Sequence, residues 1–178
     1  MTKERRLRHG GKIYLVSPYA VCWEDDNYYL IARDDGDGMI KHFRADRMVS
    51  VELSLAPSEP PPARFDVSVY TRRVFGMFGG REQLVRMRFS NRLCGVVIDR
   101  FGEDVELIRC DSSHFEVAVP IAVSPKFFAW LLAFGSEAQI ISPLPVAQRF
   151  CELCESALAA YSPERTESDP PDGEPPEL

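Results

Sequence analysis

Several features are scarce in this chain, and each scarcity narrows its function. Its 178 residues hold no apolar run near the roughly 20 that a membrane-crossing helix needs. The opening MTKERRLRHGGK lacks the apolar stretch of an export signal, so a soluble cytoplasmic protein is the expectation. The five cysteines are odd in number and irregularly spaced, which fits a reducing compartment better than a disulfide framework. Cys151-Glu152-Leu153-Cys154 has the spacing of half a zinc site, but Cys94, Cys110 and His114 are too scattered to complete it. Cysteines three apart on an amphipathic helix are packing residues, so neither metal nor other cofactor is expected. Histidines are equally few (His9, His42 and His114), none forms a recognisable triad, and Gly79-Gly80 is not a phosphate loop; no enzyme activity is expected. A basic excess is missing too. The net charge is −6, of which residues 162–178 supply −5, while residues 1–12 carry +4. A broad polyanion-binding surface is thereby excluded, and any nucleic-acid contact must be local.

What is present suffices for a packed core, with 45% hydrophobic and 11% aromatic residues. Pro57, Pro60, Pro61 and Pro62 form a linker that cannot pair into a sheet. It divides the chain into residues 1–56, a linker at 57–64, a second domain at 65–161, and a proline- and acid-rich tail at 162–178 that is expected to be disordered. Residues 1–12 are either a frayed leader or an edge strand.

In the first domain, strands are expected at residues 13–16, 20–23, 28–32 and 39–44, with turns at 24–27 and 34–38. Residues 49–53 alternate apolar and polar and predict a strand closing this small sheet. Trp23 is expected in the core; Tyr28 and Tyr29 take opposite faces. In the second domain, Asp66 caps a helix that the glycines at 76, 79 and 80 end. A strand at 84–89 precedes a helix at 92–100 capped by Asn91 and stopped by Gly102. Strands at 105–110 and 114–123 form a hairpin; Ser124-Pro125 opens a helix at 126–134. A strand at 138–142 and a helix from Pro145 to Tyr161 complete an α+β chain. The order β-α-β-β-α-β, then a helix, is that of a ferredoxin-like sandwich.

On a two-residue period His42 and Arg44 share one strand face, opposite Phe43. With the hydroxyls of Ser17 and Tyr19, and Arg47 just beyond, they make a plausible anion-reading face. Arginine grips phosphate with a planar fork of donors, and aromatic rings stack bases. The competing account pairs Arg44 and Arg47 with Asp34, Asp35 or Asp46 as surface ion pairs. A second basic group (Arg72, Arg73, Arg81, Arg86, Arg88, Arg92 and Arg100) is either a solvated face balanced by Glu82, Asp99 and Glu103, or an extension of a ligand groove or dimer contact.

Trp23, Tyr29 and Leu30, preceded by Ser17-Pro18-Tyr19 and followed by His42-Phe43-Arg44-Ala45-Asp46-Arg47, resemble the WYL domain, a family found mostly in bacterial transcriptional regulators. Residues 65–161, through FGMFGG, VVIDRFG and AVSPKFFAWLLAFG, resemble the extension that commonly follows it. The resemblance implies a small Sm-like β-barrel, here short of its first strand or two, joined to the ferredoxin-like domain. It implies a ligand-sensing regulatory domain that binds a nucleotide or single-stranded nucleic acid through Ser17, Tyr19, Tyr29, His42, Arg44 and Arg47. A homodimer is expected, with no membrane partner, and duplex DNA is bound only through a helix-turn-helix not found in this sequence. The rival reading is a non-catalytic oligomerisation module serving a separate DNA-binding chain; a weaker third is a thiol or zinc sensor using Cys151 and Cys154.

Overall fold

The computed structural model describes residues 11–79 and 82–161. The basic opening through Gly10, the pair Gly80 and Arg81, and the acidic stretch 162–178 lie outside the described residues. The rest is a mixed α+β architecture built on two antiparallel sheets.

The first sheet has the order β1-β2-β3, with β1 at Val16–Glu24, β2 at Asn27–Asp34 and β3 at Ile40–Arg44. Asp25 and Asp26 connect β1 to β2 with φ of 45° and 59°. Two successive left-handed residues match the strand twist, and short polar side chains tolerate that conformation. β2 returns as β3 through a turn in which the Gly38 amide donates to the Asp34 carbonyl at 2.7 Å. The Lys41 ammonium lies 2.5 Å from the nearly buried Asp34 carboxylate and clasps this turn from β3.

Two expectations fail in this sheet. Residues 49–53 form no strand and stay exposed, because no described strand offers them an edge; the sheet remains open and no closed barrel exists among the described residues. Ile13 likewise stays outside the sheet and exposed. Trp23 is not core: it is 57% exposed and packs edge-on against Tyr28 at 4.7 Å. It shares the face of Val21, Leu30 and Phe43, whereas the buried side of the sheet is the opposite one, around Ile31.

The helix α1 (Val67–Arg73) begins as expected at Asp66, whose carboxylate accepts from the Ser68 and Val69 amides. The second sheet then takes the order β5-β6-β4-β7, from β4 (Glu82–Ser90), β5 (Leu107–Arg109), β6 (His114–Ala122) and β7 (Ala138–Ser142). All its pairings are antiparallel. Helices α2 (Cys94–Phe101), α3 (Pro125–Leu132) and α4 (Leu144–Tyr161) alternate with these strands in the expected succession. Val85, Met87 and Phe89 point inward from β4 beside Phe115, Val117 and Val119 of β6, with Val97 of α2 and Phe127 and Leu131 of α3 in the same core. Ser124 caps α3 by accepting from the Phe127 amide, with Pro125 in the first turn. Asn91 does not cap α2. Its side-chain amide donates to the Ser112 carbonyl at 2.9 Å, and a short 3-10 turn separates it from the helix.

On the outer face of this sheet, Glu116 is almost buried between two arginines. Arg86 Nε donates to its Oε2 at 2.6 Å, and Arg88 Nη2 to its Oε1 at 2.9 Å. Hydrogen bonds from Arg86, then Arg88, hold this carboxyl below its usual range. A carboxylate with a depressed folded-state pKa stabilises the fold above about pH 4 and loses that contribution as pH falls further. Glu116→Gln is therefore expected to flatten the decline of melting temperature between about pH 4.5 and pH 3. Melts followed by circular dichroism across that range check this; an unchanged slope contradicts it.

Candidate functional site

The side-chain rows of the first sheet follow from its register. Cys22, Tyr29 and Arg44 form one row across the three strands; Ala20, Ile31 and His42 form the next. The chain at 65–79 folds back over this face. Tyr19 packs on Phe65 at 5.3 Å, Phe65 on Tyr70 at 5.3 Å, and Tyr70 on His42 at 5.6 Å.

His42 is the centre of this junction. Its Nδ1 lies 2.9 Å from the Met77 carbonyl and its Nε2 lies 2.9 Å from the Tyr70 hydroxyl. A carbonyl can only accept, so Nδ1 carries the proton and Nε2 accepts from the phenol. The ring is thus held as one neutral tautomer. Burial pushes its pKa below the ordinary histidine value, and burial pushes the Tyr70 hydroxyl up to about 12. Met77 is placed by a turn in which Gly76 and Met77 have φ of 59° and 57°. Its sulfur accepts from the Cys22 thiol at 3.8 Å. A Cβ at Gly76 would lie 3.0 Å from Lys126 Cγ, so this turn passes close under α3. Lys126 in turn reaches Asp25 in the β1–β2 turn at 3.0 Å.

The six residues read from the sequence divide into two groups. Ser17 is fully buried; its hydroxyl donates to Asp35 Oδ1 at 3.2 Å and accepts from the Glu59 amide at 2.9 Å. Tyr19 sits in the β1 irregularity between Pro18 and Ala20, stacked on Phe65, and both ring nitrogens of His42 are engaged. Tyr29, Arg44 and Arg47 gather instead at the other end of the sheet. Arg44 directs Nε and Nη2 to Asp46 at 3.0 and 2.9 Å. That pairing, foreseen as the competing account, orients one edge of the guanidinium and leaves the Nη1 donors available. Arg47, on the 3-10 turn Ala45–Arg47, is exposed and has no ion pair among the described residues. The sequence reading missed Phe65, Tyr70, Met77 and Lys126, whose contacts with the sheet cross tens of residues. The only local sign was the glycine spacing of FGMFG.

The second basic group is largely committed elsewhere. Arg73 pairs with Glu82, Arg86 and Arg88 with Glu116, and Arg92 with Glu137. Arg100 stacks on the Phe75 ring at 3.8 Å and donates to the Val74 carbonyl at 3.2 Å. Arg81 lies outside the described residues. Among the described residues, no three His, Cys, Asp or Glu side chains converge as a metal site. None of the described helices is long and apolar enough to cross a membrane.

Fold and site define a two-unit α+β protein whose first sheet is locked to the second unit through one histidine. Residues 5–53 match the WYL domain and residues 81–158 match the WCX domain. The chain is a WYL domain protein, with the WCX domain following. Among solved structures it is similar to proteasome accessory factor B/C (PafBC) of Arthrobacter aurescens, with 18% identity and a TM-score of 0.42. That likeness covers 83% of this chain and 22% of the other, so the chain spans about a fifth of that protein's length. A search of curated proteins gives no match.

Proposed function

We propose that this chain is the ligand-sensing part of a transcriptional regulator, and that it binds a nucleotide or a short single-stranded nucleic acid at Tyr29, Arg44 and Arg47. The observation that carries this reading is the Tyr29–Arg44 cross-strand pair beside the exposed Arg47. A phenol ring can stack a base while the guanidinium donors grip phosphate. Ser17, Tyr19 and His42 serve the site indirectly: they fix the sheet and its cover. Occupancy would reach the second unit through His42, Tyr70 and Met77, since Val74 beside this cover bridges to Ala122 in the second sheet. The element order and the sheet order β5-β6-β4-β7 support a ferredoxin-like second unit. Binding to duplex DNA and a role as homodimer belong to the same proposal, with the DNA-reading helices supplied outside these residues.

Titration of a labelled single-stranded oligonucleotide, and separately of a labelled mononucleotide, tests the reading. Arg44→Ala/Arg47→Ala is expected to weaken binding at least tenfold, since a charge-assisted hydrogen bond contributes about 1.5–3 kcal/mol. The slope of log affinity against log salt should fall by roughly 0.7 for each phosphate contact removed. Equal binding by both proteins, or none by either, contradicts the proposal.

A further inference from the structure

Residues 49–55 are the most prominent apolar feature without a partner among the described residues. Val49, Val51, Leu53 and Leu55 are 80, 76, 102 and 105% exposed. They alternate with Ser50, Glu52 and Ser54, so an extended backbone places all four on one side. The stretch has no regular structure, and among the described residues its backbone joins neither sheet. Yet it is no loose end. The turn Ala45–Arg47 precedes it, closed by the Met48 amide on the Ala45 carbonyl, and the Glu59 amide beyond it is bonded to Ser17. It is a tethered arm.

The same chain carries a place for such an arm. Among the described strands β1 pairs with β2 alone, which leaves the other edge of this nine-residue strand open. β1 also carries Pro18, a residue that edge strands tolerate. On the side away from His42, the rows Phe43–Leu30–Val21 and Tyr28–Trp23 end at this edge, with Val21, Trp23 and Tyr28 all more than half exposed. A strand added beside β1 would continue both rows with its own apolar residues.

We propose that residues 49–55 are an exchange strand: in a dimer each copy lays its arm along the open β1 edge of the other. A twofold axis then satisfies both arms and both edges at once. Residues 1–10 are a poor occupant of the arm's apolar side, since MTKERRLRHG offers only Met1 and Leu7 against four arginines and lysines. A second copy brings an arm of four aliphatic side chains to an aromatic pair, in matching number. Trp23 and Tyr28 from two copies, at roughly 150–250 Å² for each fully buried aromatic, together with eight valines and leucines, reach the order of 1,200 Å² that a specific interface buries. This inference rests on the sheet alone and is independent of the ligand reading.

Light scattering of the full chain across a wide concentration range, paired with hydrogen–deuterium exchange, tests it. The wild-type chain is expected to be dimeric, with slowed exchange at residues 20–24 and 49–55. Val51→Lys/Leu53→Lys is expected to raise the dimer dissociation constant at least tenfold and abolish that slowing, with an unchanged melting curve for the monomer. Leu55→Lys provides a second variant at a site with no packing to lose. A monomeric wild-type chain overturns the proposal, as does a dimer that survives both variants. Slow exchange at residues 49–55 in a monomer would place the arm on its own sheet and overturn it equally.

Discussion

Phe89→Ala is expected to destabilise the protein by about 3–5 kcal/mol, the cost of emptying a fully packed phenylalanine site. Phe89 is completely buried in β4 and touches three other rings: Phe115 at 5.8 Å, Trp130 at 6.1 Å and Phe134 at 6.4 Å. These come from β6, from α3 and from the residues just after α3, so one truncation leaves a cavity shared by several elements. Such a site cannot collapse without moving α3 from the sheet. At about 2–4 °C per kcal/mol for a chain of this size, the melting temperature should fall by roughly 6–20 °C. A drop of under about 2 °C would show that Phe89 is not the centre of a packed core. The effect should reach the candidate site as well, because Val74, which precedes the Gly76–Met77 turn, is held to this domain by its bridge with Ala122.

His42→Ala is expected to cost about 1–3 kcal/mol and to loosen the cover from the first sheet. It strips the Met77 carbonyl and the Tyr70 hydroxyl of their partner in a part-buried place, where an unpaired polar group is costly. A second consequence concerns pH. The imidazole is held neutral with a folded-state pKa below its usual value, chiefly because burial disfavours the charged form. The unfolded chain therefore binds the extra proton first. Stability is complete above the unfolded value of about 6.5 and is lost as pH falls from there toward the folded value. Wild-type protein should lose melting temperature between about pH 7 and pH 5, and His42→Gln should show a flatter curve over that window. If the two curves are parallel, His42 is not the group that titrates. This window lies well above that of Glu116, so the two contributions separate cleanly.

The second domain was the more legible part of the sequence because its signals are local. Asp66, Ser124 with Pro125, and Gly102 mark helix ends by backbone hydrogen bonding and φ, and β4 alternates on a strict period of two. Each of these depends on residues within one turn. Asn91 resembled such a signal and was not one, since Ser112, twenty-one residues on, claims its side chain. The first domain is less legible for a related reason. Trp23 and residues 49–53 carry the apolar pattern of interior strands, but whether such a strand is covered depends on a second layer that no local pattern reveals. The site shows the same division. Register alone places Tyr29 beside Arg44 and puts His42 on the same face. It does not show that Ser17 is spent on Asp35 and Glu59, or that Tyr70 and Met77 occupy both nitrogens of His42.

The most direct test of the account is a backbone-amide chemical-shift map of the full chain during titration with a short single-stranded oligonucleotide. The predicted footprint is Tyr29, Arg44 and Arg47, with smaller shifts spreading to residues 70–78 through His42. Shifts centred on Arg86 and Arg88 instead, with the first sheet unperturbed, would contradict it.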